Sequence, residues 1–169
     1  MSMPSPSQAL YRARQFFTAL GPQVGEAERE EAATVLGDRL LPLFDSMSLR
    51  DQRHCLDVYH TLRIRGCGDS DVLRAALLHD AGKGRLAAAE VRLWHRVCYV
   101  ALAAVAPGLL DRLATSGGLG TLRHHPERGA LLATAMGAPN TVVDLIRRHE
   151  APEAPDDRLR WLQASDDSC

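Results

Sequence analysis

The stretch Val72-Leu73-Arg74-Ala75-Ala76-Leu77-Leu78-His79-Asp80 decides how this chain is read. From Val72 to Leu78 every residue but Arg74 is apolar, with no two-residue alternation. A half-buried strand alternates and a surface helix shows one apolar stripe; a helix apolar nearly all round sits at the centre of a bundle. Asp69 can cap its start and Gly82 follows its end, so the pattern predicts a helix from Ser70 to about Asp80. That helix runs directly into His79-Asp80. A carboxylate beside a buried helix is costly unless something compensates it. A metal ion is one compensator and a capping or salt-bridge role is the other; these two residues alone favour the second.

Working outward, the periodicity stays helical. Ser5 or Ser7 can cap a helix from Gln8 to about Leu20, closed by Gly21-Pro22. A second helix is expected from about Glu26 to Leu41, and a third from the capping-box-like Ser48-Leu49-Arg50-Asp51 to Gly66. A fifth spans about Leu86 to Ala106, and Pro107 opens a short sixth. Pro126 suits the first turn of a seventh, ending at Gly137. An eighth runs from Pro139 or Asn140 to near His149, and the last from about Asp156 to Ala164. The expected fold class is all-α, a bundle of eight or nine helices. Gly117-Gly118-Leu119-Gly120 follows no strand and is expected as a flexible loop that could border a pocket as a lid.

The chain has 169 residues, 46% hydrophobic and 24% charged, with a formal net charge of −1. That fits a single domain over 1–169, with N-terminal helices in 7–45 packed on a motif-bearing core over 48–167. The balanced charge argues against stable nucleic-acid binding and against a polybasic membrane anchor. The longest apolar run, Val97–Leu110, contains a Pro and a Gly and falls short of the roughly 20 residues a membrane span needs. It is expected as a core helix, or as an interface if the chain forms a homodimer. No apolar leader opens the chain, and Cys55, Cys67, Cys98 and Cys169 form no CxxC pair. Both points fit a reducing, cytoplasmic setting. The chain has no Walker-type phosphate loop, no nucleophile elbow and no HExxH helix.

Seven histidines are present: His54, His60, His79, His95, His124, His125 and His149. Of the 20 basic residues only Lys83 is a lysine. His79, Asp80 and Lys83 stand at i, i+1 and i+4, so one turn can bring them to one region. Imidazole with carboxylate suits divalent Mn, Fe, Co, Ni or Zn, with Mg at oxygen-rich positions. The lysine could then neutralise an anion at the metal.

Carried by His54 in Gln52-Arg53-His54-Cys55, by Ala75-Ala76-Leu77-Leu78-His79-Asp80-Ala81-Gly82-Lys83 and by Asp166 in Ala164-Ser165-Asp166-Asp167, the sequence resembles the HD-domain superfamily of metal-dependent phosphohydrolases. The resemblance covers about Leu49 to Asp167. Two further stretches look like the histidine elements of members with a dinuclear site: His125-Pro126-Glu127-Arg128-Gly129-Ala130 and Ile146-Arg147-Arg148-His149-Glu150. The resemblance implies one metal held by His54, His79, Asp80 and Asp166, and a second held by Asp80 as a bridge with His125 and His149. Arg148 stands where a tandem histidine is common, and no GYP-like segment follows Glu150. Asp166 and Asp167 are neighbours, and either could be the last ligand. His60, His95 and His124 match no element of the family.

The resemblance further implies a small phosphorylated substrate, a nucleotide among the candidates, and one or two divalent ions that activate water for attack on phosphorus. Asp80 and Lys83 would be the catalytic residues, Lys83 by stabilising charge on the phosphoryl group. The alternatives are a di-iron oxygenase built on the same ligands and a non-catalytic metal-binding signalling module. Arg147-Arg148 reads as a solvated pair that could also meet phosphate.

Overall fold

The computed structural model describes residues 23–86, 91 and 93–169; the helix expected over Gln8–Leu20 lies outside them. Among the described residues the chain is all-helical, with nine α-helices, one 3₁₀ turn and no strand. They are α1 (Glu26–Ser46), α2 (Leu49–Ile64), α3 (Ser70–Leu78), the 3₁₀ turn (Ala81–Lys83), α4 (Leu93–Val105), α5 (Pro107–Leu113), α6 (Gly117–Arg123), α7 (His125–Ala135), α8 (Asn140–Arg148) and α9 (Asp157–Asp166). Among these residues no helix is long and apolar enough to cross a membrane.

The helix starts follow local chemistry. The side chain of Ser48 accepts the Asp51 amide, that of Asp69 accepts the amides of Asp71 and Val72, and that of Asp156 accepts the Leu159 amide. Helix α1 continues past the expected Leu41 to Ser46, because the chain bends at Gly37 (φ +67°) and resumes as helix. That left-handed conformation suits glycine alone without strain.

Helix α3 is the hub. Val72, Leu73, Ala75, Ala76, Leu77 and Leu78 are all buried, and the helix packs against α1, α2, α8 and α9. It stops at Leu78, two residues short of the expected end, and the chain tightens into the 3₁₀ turn. The cause is a close approach of backbones. A Cβ on Gly82 would fall inside the His125 carbonyl oxygen and 2.7 Å from the Gly129 amide nitrogen. Only a residue with no side chain lets the turn lie on the start of α7 in this way.

Two expectations are corrected. Gly117-Gly118-Leu119-Gly120 is not a loop but the first turn of α6, with Gly118 and Gly120 buried. Val97–Leu110 is not a core helix: it divides into α4 and α5, and Val97, Val100 and Val105 are 61%, 69% and 81% exposed. Helix α4 packs on α5 and α6 and leaves this apolar face outside the core.

Gly82→Ala should therefore separate the 3₁₀ turn from α7. Urea denaturation should show a loss of about 1–3 kcal/mol or more, the cost of overpacking. An unchanged midpoint would show that the backbones do not meet as described.

Candidate metal centre

Four elements deliver the site. His79 ends α3, Asp80 leads into the 3₁₀ turn, His125 opens α7 and His149 ends α8. His54 comes from α2 and Asp166 from the last turn of α9. All six expected ligands are thus brought to one region. Asp80 Oδ1 is the centre: His125 Nε2 lies 3.3 Å away, His79 Nε2 3.7 Å, His149 Nε2 4.0 Å and Lys83 Nζ 2.7 Å. Asp166 Oδ1 lies 2.8 Å from His54 Nε2 and 3.5 Å from His79 Nε2, whereas Asp167 is exposed and closes the helix as its C-cap.

The three buried rings share one local device. His79 Nδ1 donates to the Ala76 carbonyl at 2.9 Å, His125 Nδ1 to Leu122 at 2.7 Å and His149 Nδ1 to Ile146 at 2.7 Å. Each bond reaches a carbonyl three residues back, and it fixes which ring nitrogen carries the proton. In the neutral form of each ring Nε2 then turns a lone pair inward. This is how metal-ligating histidines are commonly oriented.

A cation among them would satisfy those lone pairs. His125 Nε2 and His149 Nε2 are only 3.1 Å apart, so two neutral rings would oppose lone pair to lone pair. Buried His79 Nε2 makes no hydrogen bond at all. Two groups, His54-His79-Asp80 and Asp80-His125-His149, each have their donor atoms within 4.8 Å of one another and could hold a metal ion. The donors are imidazole and carboxylate, which suit a divalent transition metal.

The electrostatics agree. Burial opposes charge on Asp80, but Lys83 and His79 outweigh it and hold the carboxyl well below its usual range. Burial likewise opposes charge on Asp166, and the hydrogen bond from His54 together with the nearby His79 imidazole more than offsets this. Burial opposes charge on His79, yet the Cys55 sulfur and the Asp80 carboxylate raise its pKa well above the ordinary value. Lys83 keeps its charge because Asp80 outweighs the cost of burial. His149 goes the other way: burial first, then His79 and His125, push it down to about 3.

Above the cluster opens a cavity of about 440 Å³ lined by Arg50, Asp51, Arg53, His54, Asp57, Asp80, Lys83, Arg96 and Cys169. Arg53 is paired with Glu28 and Asp57, and Arg96 with Asp51. Arg50 is exposed and makes no ion pair among the described residues. This cationic wall escaped the sequence reading. Arg53 adjoins His54 and could have been suspected, but nothing marks Arg96, which arrives from α4. Asp51 was legible only as a cap.

The remaining polar residues stand outside the cluster, as the sequence had them. Arg148 pairs with Asp144 at 3.0 Å and Arg147 is exposed. His60 pairs with Glu31 at 3.0 Å, His95 stacks beside Trp94, and His124 is exposed. Glu150 is exposed, with Oε1 3.6 Å from His125 Nε2. The four cysteines are free thiols. No family model, no curated protein and no solved structure matches this chain.

The low pKa of His149 has a sign that can be measured in metal-free protein. The unfolded chain takes up the proton near the ordinary value of about 6.5 and the folded chain only near 3, so stability falls as pH drops between them. From about pH 7 to about pH 5 this group should cost about 2 kcal/mol of unfolding free energy. His149→Asn should lose that part of the pH dependence; equal slopes for the two proteins would contradict the neutral, buried ring.

Proposed function

We propose that this chain is a metal-dependent phosphohydrolase of the HD-domain type, acting on a small phosphorylated substrate. The observation that supports it most is the place of its one lysine. Lys83 Nζ sits 2.7 Å from Asp80 Oδ1, and both line the cationic cavity above the histidine cluster. A purely structural metal has no need of a buried ammonium beside its ligand.

In this reading His54, His79, Asp80 and Asp166 hold one divalent ion and Asp80, His125 and His149 hold another. Ions held there supply Lewis-acid polarisation of a phosphoryl oxygen and lower the pKa of water toward about 7. The chain's own residues do the rest. Asp80 stands between the two groups and stays ionised. Lys83 offsets charge that grows on the phosphoryl oxygens, which is worth most in a water-poor site. Arg50, Arg53 and Arg96 make the approach attractive to an anion. The hydrogen bonds from Nδ1 keep the rings from rotating away.

The test is metal content by elemental mass spectrometry beside hydrolysis of p-nitrophenyl phosphate and a panel of nucleotides, with Mn or Co, in the absence of oxygen. About two ions per chain and turnover of a phosphate ester are expected. Asp80→Ala should lose the metal and all turnover. Lys83→Ala should keep the metal and lose about 10²–10³ in turnover, the usual effect of removing one charge-stabilising donor. Full metal content with no hydrolysis of any ester would reject the reading.

A further inference from the structure

Arg96 enters the site on α4, outside the ligand set. Its Nη2 donates to both oxygens of buried Asp51, at 2.6 Å and 2.8 Å. Ser48 Oγ also donates to Asp51, at 2.7 Å, so the carboxylate is anchored to the start of α2. Both bonds from Arg96 use a single nitrogen. A guanidinium has five N–H donors in a planar fork. Nη1 and Nε of Arg96 make no hydrogen bond among the described residues. Arg–carboxylate pairs frequently use two nitrogens side by side; here one serves, and the rest of the fork stays open.

The place of Arg96 gives the spare donors a purpose. With Lys83 it lines the cavity of about 440 Å³ over His54 and Asp80, and also a second cavity of about 270 Å³ formed with Tyr99, Val100, Leu122, His125 and Glu150. Two cations therefore stand where a polar cavity meets a more apolar one: Lys83 directly beside Asp80, the carboxylate common to both candidate metal groups, and Arg96 on the same cavity wall. We propose that Arg96, aimed by Asp51, is a phosphate-binding residue whose free guanidinium edge, together with Lys83, clamps the phosphoryl group of the substrate at this junction. Asp51 is its positioning residue. The inference rests on the phosphohydrolase reading.

Titration of Mn-loaded protein with inorganic phosphate, followed by calorimetry, tests it without needing turnover; Mn content is measured in parallel. Arg96→Gln should weaken phosphate binding by roughly tenfold to a hundredfold, the worth of a charged hydrogen bond, with Mn content unchanged. Asp51→Asn should weaken it less, and should have no further effect once Arg96 is replaced. A pair that served only to hold α4 would lower stability in both variants and leave phosphate affinity alone, which overturns the inference. Arg96→Lys covers the case in which the glutamine variant does not fold: it keeps the charge but not the fork, so binding intermediate between the wild type and no binding supports the clamp. Wild-type affinity in the lysine variant overturns it. Absence of phosphate binding in the Mn-loaded wild type would overturn the inference and the phosphohydrolase reading together. Binding that is indifferent to Arg96 would remove the inference alone.

Discussion

The site depends on a contact between two backbones. Gly82 lies against the His125 carbonyl and the Gly129 amide, where no Cβ fits. This approach ends α3 after Leu78, swings Asp80 out of the helix and sets it beside the first residue of α7. A longer α3 would carry Asp80 around the helix, away from His125 and His149. The packing of glycine therefore decides the electrostatics: one carboxylate oxygen is shared among three imidazoles and an ammonium because two main chains touch.

Around that contact the fold divides its labour. Helices α1, α2, α3, α7, α8 and α9 form the apolar core, and α3 is buried nearly all round. Only His54 lies inside a helix; the other five of the six candidate ligands occupy helix ends or the turn that follows one. There the chain can turn a ring toward the centre while its Nδ1 still finds a carbonyl that the helix leaves unpaired. Polar chemistry is thus placed in a buried region, and among the described residues the buried side-chain atom left without a hydrogen bond, His79 Nε2, lies beside Asp80 and Asp166. The peripheral helices α4, α5 and α6 add little to the core but bring Arg96, Tyr99 and Leu122 to the rim.

How much was legible follows from the range of each signal. Helix α3 declares itself because its apolar residues are contiguous. The six expected ligands were legible only through the resemblance to the HD-domain pattern, since His79-Asp80 read from the residues alone favours a capping or salt-bridge role. The model brings them together, and it separates exposed Asp167 from Asp166, a choice that neighbouring identical residues left open. Local pattern failed where tertiary packing overrides propensity. Three glycines in four residues argue against a helix, yet α6 forms because Gly118 and Gly120 are buried against neighbours. Val97–Leu110 looks like core by composition, but hydrophobicity does not say which neighbours exist to cover it. Arg96 was invisible because its partner, Asp51, lies two helices earlier and no spacing rule links them.

The bonds from Nδ1 to the chain three residues back carry a consequence for order. Those of His79 and His149 lie within single helix ends and that of His125 joins the end of α6 to the start of α7, so the rings lose their rotational freedom as these helices form, and no later event has to supply that ordering. A cradle ordered in advance spends little conformational entropy on taking up an ion, and folding and uptake become separate steps, unlike domains that fold only around their metal. Such a cradle also cannot adapt its spacing to the guest. Choice among ions would then rest on radius and preferred coordination geometry, imposed by helices whose positions the apolar core has already fixed.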